Sequence, residues 1–283
     1  MSARARAIKG RIKNVDNIRQ ITKAMNAIAM TKLTRMKRRL RMIQPWMGQL
    51  ESCLAVLLAQ AKEREISHPL TVDNGGDKVG IFVLNSDRGL CGRFKGELNW
   101  RAYDLMSELG GKRMIITGGE KARSFFVRHR ADILQSYTNI YETPTAAVAR
   151  QMATYLASLY RKGELGRVIL VYMKFSSDLV QRTVTEELLP IKVKPVMQEA
   201  ILEPNLSTLL DYTLSLYLES KLFSALVETK TSEHAIRRQA MKNATDNAED
   251  MINTLTRRFN RARQQSITRE LLDIMGGAEA LQR

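Results

Sequence analysis

Apolar residues in the first quarter of the chain recur with a strict 4,3 alternation. Ala29, Leu33, Met36, Leu40, Ile43, Met47, Leu50, Leu54, Leu57 and Ala61 hold one seam for more than four heptads, which is the pattern of a coiled coil. Upstream, Ile8, Ile12, Val15, Ile18, Ile21, Met25 and Ile28 extend it with a three-residue slip near Val15–Ile21. A slip of that kind overwinds a supercoil locally. Pro45 is expected to kink this helix or mark its weakest point. A helix over residues 3–61 would be roughly 85–90 Å long. A compact globule of this chain length has a radius of gyration near about 19 Å, so the pattern predicts a projecting rod.

A second long helix is predicted from Leu206 to Met275. It contains no proline, and Gly276 and Gly277 are read as lying past its end. Its seam is Met241, Ala244, Ala248, Met251 or Ile252, Leu255, Phe259 and Ala262, and the small residues allow close approach of a partner helix. The stretch Glu228–Arg238 is polar on nearly every face, so it is either strongly solvated or enclosed by another polypeptide. The two terminal helices, residues 1–62 and 206–283, are expected to pair antiparallel as a shaft.

Between them, over residues 77–195, the pattern becomes strand-like. Val79–Leu84, Met114–Thr117, Ile133–Tyr137 and Val168–Phe175 read as strands of the buried type. Helical stretches around Glu97–Leu109, Glu120–His129 and Thr145–Arg161 alternate with them. Such alternation predicts a Rossmann-like α/β domain with a mainly parallel sheet. Asn74-Gly75-Gly76 marks the way in, and Pro190, Pro195 and Pro204 the way out.

Composition narrows the function. The 283 residues carry 45 Lys and Arg against 29 Asp and Glu, a formal net charge of +16. About 15 basic and 3 acidic side chains fall in residues 1–64, so roughly three quarters of the excess lies on the first helix. The densest run is Arg35, Lys37, Arg38, Arg39 and Arg41. Such a balance calls for an acidic partner. Nucleic acid is disfavoured, because few aromatics interleave the basic residues and the basic run overlaps a seam that wants a helix. With 44% hydrophobic residues the chain can build a core, so a disordered basic tail is excluded. Two cysteines rule out a disulfide framework. No apolar stretch approaches a membrane span. The Arg-rich start, Ser2-Ala3-Arg4-Ala5-Arg6, is read as helix rather than transit peptide, and no secretory signal is recognised.

Candidate chemistry is sparse. Thr117-Gly118-Gly119-Glu120-Lys121 lacks the spacing of a phosphate loop and reads as a tight turn. His68, His129 and His234 show no metal-ligand spacing. Cys91 has no histidine near it in sequence to act as a base, and Cys53 reads as a small core residue. No catalytic residue, cofactor or metal is expected in this chain.

Three segments carry a resemblance. They are Ile21-Thr22-Lys23-Ala24-Met25 followed by Lys32-Leu33, then Ser86-Asp87-Arg88-Gly89-Leu90-Cys91-Gly92, then Ala240–Ala248 through Asn260–Gln264 and Ile267–Glu270 to Gly276-Gly277-Ala278. In this order, over essentially the full chain, they closely resemble the gamma subunit of rotary (F-type) ATP synthases. The resemblance implies an antiparallel coiled coil turning, one copy per complex, inside a ring of alpha and beta subunits. It also implies an α/β domain beside the epsilon subunit and the membrane ring of c subunits. Torque would pass between the ion-driven ring and the catalytic ring, with no nucleotide bound by the shaft.

Position by position, the resemblance implies alpha/beta-ring contacts at Lys23, Met25, Arg88, Cys91, Arg263, Gln264, Thr268 and Glu270. Arg38, Arg39 and Arg41 join them as a basic stripe facing an acidic loop of the beta subunits. Leu202 and Glu203 match a c-ring contact, although the family usually has an aromatic in place of Leu202. Arg93 and Lys95 make the 86–92 loop more basic than is usual. There is no room for the extra segment of plant and cyanobacterial members, so thiol control is not expected. A bacterial enzyme, peripheral on the cytoplasmic face of the inner membrane, is the expected setting. A stand-alone enzyme using Cys91 is the alternative of another class.

Overall fold

A computed structural model describes residues 3–139 and 143–281. The elements are α1 (Ala3–Glu63), β1 (Lys78–Leu84), α2 (Phe94–Glu108), β2 (Lys112–Gly118) and α3 (Glu120–Arg128), followed by β3 (Ile133–Tyr137), α4 (Ala146–Arg161), β4 (Arg167–Phe175), β5 (Gln181–Leu189) and α5 (Leu206–Leu281). The expected α/β fold with long terminal helices is the one found. The helix α1 runs through Pro45, which sits on its exposed side, as the predicted helix over residues 3–61 does. Two features differ. The helix α5 runs on through Gly276 and Gly277 instead of ending before them. The strand β5 was not visible in the sequence pattern.

The chain forms two compact units, Met1–Ala29 with Arg238–Arg283, and Met30–Arg237. The division falls within the two long helices, so the second half of α1 and the first part of α5 belong with the α/β domain.

In the larger unit the sheet order is β3-β2-β1-β4-β5. β1 pairs in parallel with β2 and β4, β2 with β3, and β5 returns antiparallel along β4. Side chains alternate between two cores, as the pleat requires. Ile81 and Val83 of β1 and Ile169, Val171 and Met173 of β4 pack under α2 and α3 with Phe94, Leu98 and Phe126. Phe82, Leu84, Leu170 and Tyr172 face the other way, against α4 and the helices α1 and α5. Both faces are covered, which is why the central strands read as unbroken apolar runs. The edge strand β5 reads Gln-Arg-Thr-Val-Thr-Glu-Glu-Leu-Leu, with intermediate burial at its centre. Its polar alternation explains why it was missed.

The heptad seam of this unit holds as expected. Leu33, Met36, Leu40, Ile43, Leu50, Leu54, Leu57 and Ala61 are buried, and Leu40 and Ile43 pack with Val227 of α5. Helices this long owe their stability mainly to such a packed face. Gly166 and Gly76 lie back to back, and a β-carbon on Gly166 would come within 1.8 Å of the Gly76 carbonyl oxygen.

The smaller unit corrects the sequence reading. Ile18, Ile21 and Ile28 are all more than half exposed. The heptad instead continues without a slip through Ala5, Ile8, Ile12, Val15, Arg19, Thr22, Asn26 and Ala29, which are buried or half-buried. Three polar residues hold inward positions. Arg19 pairs with Asp16 at 2.8 Å and reaches Glu249 of α5 at 3.4 Å. Thr22 donates to the Arg19 carbonyl and accepts from the Thr245 hydroxyl. These cross-helix pairs descend α1 as they ascend α5, so the pairing is antiparallel. On α5, Met241, Ala248 and Ala262 are buried, Ile252, Leu255 and Phe259 are half-buried, and Met251 is exposed.

Candidate functional site

The polar stretch of α5 is packed inside this chain rather than standing in solvent. Glu228–His234 are all buried within this chain. The reason lies in where the helix passes. Leu222 and Leu226 belong to the core on one face of the sheet, and Ile236 to the core on the other. The stretch between them crosses the carboxyl end of β4, where backbone groups need polar partners. Ser232 donates to the Met173 carbonyl at 3.2 Å, and the Phe175 amide donates to Glu228 at 3.4 Å.

A buried ionic cluster follows. Glu233 lies between Lys230 at 3.0 Å and Arg237 at 2.6 Å. Burial works against the Glu233 carboxylate, but Lys230 and Arg237 outweigh it and hold its pKa below the usual value. His234 is pushed down to about 4, chiefly by burial and further by Lys230, Arg237 and Lys32, with Glu233 opposing. Sequence reasoning saw these charges but not their burial. The available signal was their spacing at 230, 233 and 237, one face of a helix turn after turn.

The β1–α2 loop is fixed from several sides. The Asn85 side chain binds Asn99 and the Lys95 carbonyl. The Ser86 carbonyl accepts from the Lys121 amide. One carboxylate oxygen of Asp87 accepts from the amides of Glu120 and Asn139, at 3.0 and 3.1 Å. Arg237 donates to the Gly89 carbonyl at 3.3 Å. The Thr117–Lys121 turn therefore gives its amide groups to this chain. Gly119 has φ +101°, and a β-carbon there would meet the Asn85 carbonyl at 2.5 Å, so only glycine fits.

Cys91 is buried, with its sulfur 3.7 Å from Ser86 Oγ and 3.8 Å from the Arg88 carbonyl. It holds the loop and does not present its thiol. Arg88 is exposed. Cys53 is exposed, which corrects its assignment to the core.

Of the basic stripe, Arg35, Arg38 and Arg41 are exposed. Arg39 turns back to donate to the Pro144 carbonyl at 3.1 Å, and Lys37 pairs with Asp178 at 2.7 Å. In the smaller unit Lys23 is exposed and Met25 half-buried. Arg263, Gln264, Thr268 and Glu270 are all exposed, with Thr268 bound to the Gln264 carbonyl and Glu270 accepting from Ser266. Leu202 packs partly against the core, Glu203 is exposed, and the neighbouring Ile201 is 93% exposed. Gly276, Gly277 and Ala278 lie within the helical backbone of α5.

Among the described residues, no group of three or more His, Cys, Asp or Glu could hold a metal ion. No described helix is long and apolar enough to cross a membrane. A groove between α4 and α5 is lined by Ala153, Ala157, Tyr212 and Leu216 and bridged by Arg150–Glu219 and Arg161–Asp211 ion pairs. It gathers no nucleophile with a base. The class defined by these features is a coiled-coil protein with an α/β body.

Comparison with known proteins agrees. The ATP synthase family model matches residues 4–281. The chain is 37% identical to the ATP synthase gamma chain of Pelotomaculum thermopropionicum, covering 98% of this chain and 99% of the relative. It is 33% identical to that of Nostoc punctiforme, covering 99% of each. A chain of the Euglena gracilis mitochondrial ATP synthase in rotational state 3 shares the fold, with TM-score 0.70 and 18% identity over 98% of this chain and 94% of that one. The chain belongs to the ATP synthase gamma-chain family.

Proposed function

We propose that this chain is the central-stalk rotor of an F-type ATP synthase, passing torque between a membrane ring of c subunits and a catalytic ring of alpha and beta subunits. The observation that carries this reading is the inversion of polarity in the smaller unit. Its inward positions include Arg19, Thr22 and Asn26, while Ile18, Ile21, Ile28, Ile267, Leu271 and Leu272 face out and are about half exposed or more. A coil with apolar residues outside needs an enclosing partner. Family membership identifies that partner as the alpha/beta ring.

The chain itself carries out no chemistry in this reading. Its exposed arginines at 35, 38, 41 and 88 attract acidic loops of the beta subunits, a contact that tolerates sliding because charge acts over several Å. Lys23, Met25, Arg263, Gln264, Thr268 and Glu270 touch the ring from the smaller unit. The c ring meets the larger unit at Leu202 and Glu203, and epsilon lies beside its α/β domain. The complex sits on the cytoplasmic face of a bacterial inner membrane. Mixing purified alpha and beta subunits with this chain tests the reading. A stable complex containing one copy of the chain and hydrolysing ATP is expected; alpha and beta subunits that hydrolyse ATP equally well and elute apart from the chain would contradict it.

A further inference from the structure

Between Leu226 and Ile236 the helix α5 leaves the core on one face of the sheet and joins the core on the other. Apolar burial is non-directional, so the two cores hold the helix without setting its angle. The bonds made over the crossing are polar and directional. Ser232 donates to the Met173 carbonyl, Glu228 accepts from the Phe175 amide, and Arg237 donates to the Gly89 carbonyl.

These bonds grip the helix from two sides. Glu228 and Ser232, one turn apart, share the side toward the end of β4. Arg237 lies about 140° further round the helix and reaches the loop after β1. Lys230 and Arg237 flank Glu233, which ties this second grip to its own helix. β1 is the middle strand of the sheet and β4 its neighbour, so a turning force on α5 spreads through the whole sheet. The ties of α1 in this unit are weaker. Lys37 pairs with Asp178 in the open, with more than a third of each side chain exposed, and Arg39 makes one bond to the Pro144 carbonyl.

Stability does not account for this arrangement. Thr229 Oγ1 and His234 Nε2 are buried without hydrogen-bond partners. Burying Lys230 and Glu233 beside Arg237 costs desolvation that an apolar set of the same volume avoids. What the charged set adds is stiffness, because the energy of a charge-assisted hydrogen bond depends on its distance and angle.

We propose that Glu228, Lys230, Ser232, Glu233 and Arg237 form a clasp that fixes the angle between α5 and the α/β body, and that α5 rather than α1 carries torque across this level. They are positioning residues, acting through the backbone of β4 and of the loop after β1. The proposal rests on the rotor reading and names the joint through which force leaves the body. Beyond Arg237 the same helix runs on into the smaller unit.

The test uses an assembly of alpha subunits, beta subunits and this chain, fixed by its ring. A bead is coupled to the exposed α2 position through Ser107→Cys in a Cys53→Ser background, and its angular spread is read without ATP. Lys230→Met, Glu233→Leu and Arg237→Met together should widen the variance about twofold or more, because they remove the strongest directional bonds of the clasp. Ser232→Ala, which removes one bond and no charge, should widen it less. Gly163→Ala strains the same unit away from the clasp, and Asp178→Asn weakens the tie to α1; both should keep the wild-type spread. Wild-type spread in both clasp variants, or equal widening by Gly163→Ala or Asp178→Asn, would overturn the proposal while leaving the rotor reading intact. A bead on the otherwise wild-type chain that does not turn when ATP is added would overturn the rotor reading itself.

Discussion

Thr22 and Thr245 meet hydroxyl to hydroxyl, at 2.8 Å, across the seam of the smaller unit. One turn further along α1 the side-chain oxygen of Asn26 is buried without a hydrogen-bond partner. Polar residues at such positions set register and lower stability. Asn26→Leu should therefore raise the stability of the purified chain by roughly 1 kcal/mol, through removal of the buried unsatisfied oxygen and added apolar packing. Thermal unfolding followed by circular dichroism reads this directly; an unchanged or lowered midpoint would contradict it.

The buried triad of Lys230, Glu233 and Arg237 predicts an asymmetry. Glu233→Gln leaves two buried cations with a neutral partner and should cost about 3–5 kcal/mol. Lys230→Met, Glu233→Leu and Arg237→Met together should cost less than Glu233→Gln alone, because no uncompensated charge remains. Urea titration of the three chains orders them, and a triple variant weaker than Glu233→Gln would refute the account.

Acid should weaken the larger unit through His234. Its folded pKa is about 4, against an ordinary value of 6.5. Between those values the unfolded chain holds more protons, so stability rises with pH across this window. It is lost as pH falls from the ordinary value toward the folded one, by up to roughly 3 kcal/mol. Glu233, also held below its usual value, adds loss in the same direction at lower pH. Urea midpoints measured along this pH range should fall in the wild type and flatten in His234→Gln.

Close backbone packing gives a sharper test. Gly166→Ala would drive a β-carbon into the Gly76 backbone, where no flexible side chain can yield. The expected cost exceeds about 3 kcal/mol, seen as loss of soluble folded chain. Gly163→Ala, where nothing lies within 4 Å but φ is +71°, should be milder.

The basic stripe divides by the structure. Arg38→Glu with Arg41→Glu should lower ATP-driven pumping in assembled synthase with little effect on folding, because both are exposed. Arg39→Glu removes the bond to the Pro144 carbonyl and should lower the thermal midpoint as well. Equal thermal effects for the two variants would contradict this division.

Much of the fold was legible. Leu33–Ala61 follows the heptad because that half of α1 has an apolar partner face. Val79–Leu84 and Val168–Phe175 read as strands because both faces of the sheet are covered. The readings failed where tertiary partners override local pattern. Ile18, Ile21 and Ile28 look like core yet face out, because the seam keeps its register through Arg19, Thr22 and Asn26. Glu228–His234 looks like surface yet is buried, because it crosses strand ends that require polar partners. The site was legible as motifs, but the roles within them were not. In Ser86–Gly92 the cysteine holds the loop, and Arg88 and Leu90 are what it displays.

Rotation is the central claim, and Cys53 offers a direct handle, since it is exposed while Cys91 is buried. An assembly of alpha subunits, beta subunits and this chain would be fixed to a surface by its ring, with a bead coupled to Cys53. The account predicts that added ATP turns the bead continuously in one direction. A bead that stays still, or moves without a preferred direction, while the same assemblies hydrolyse ATP would contradict it.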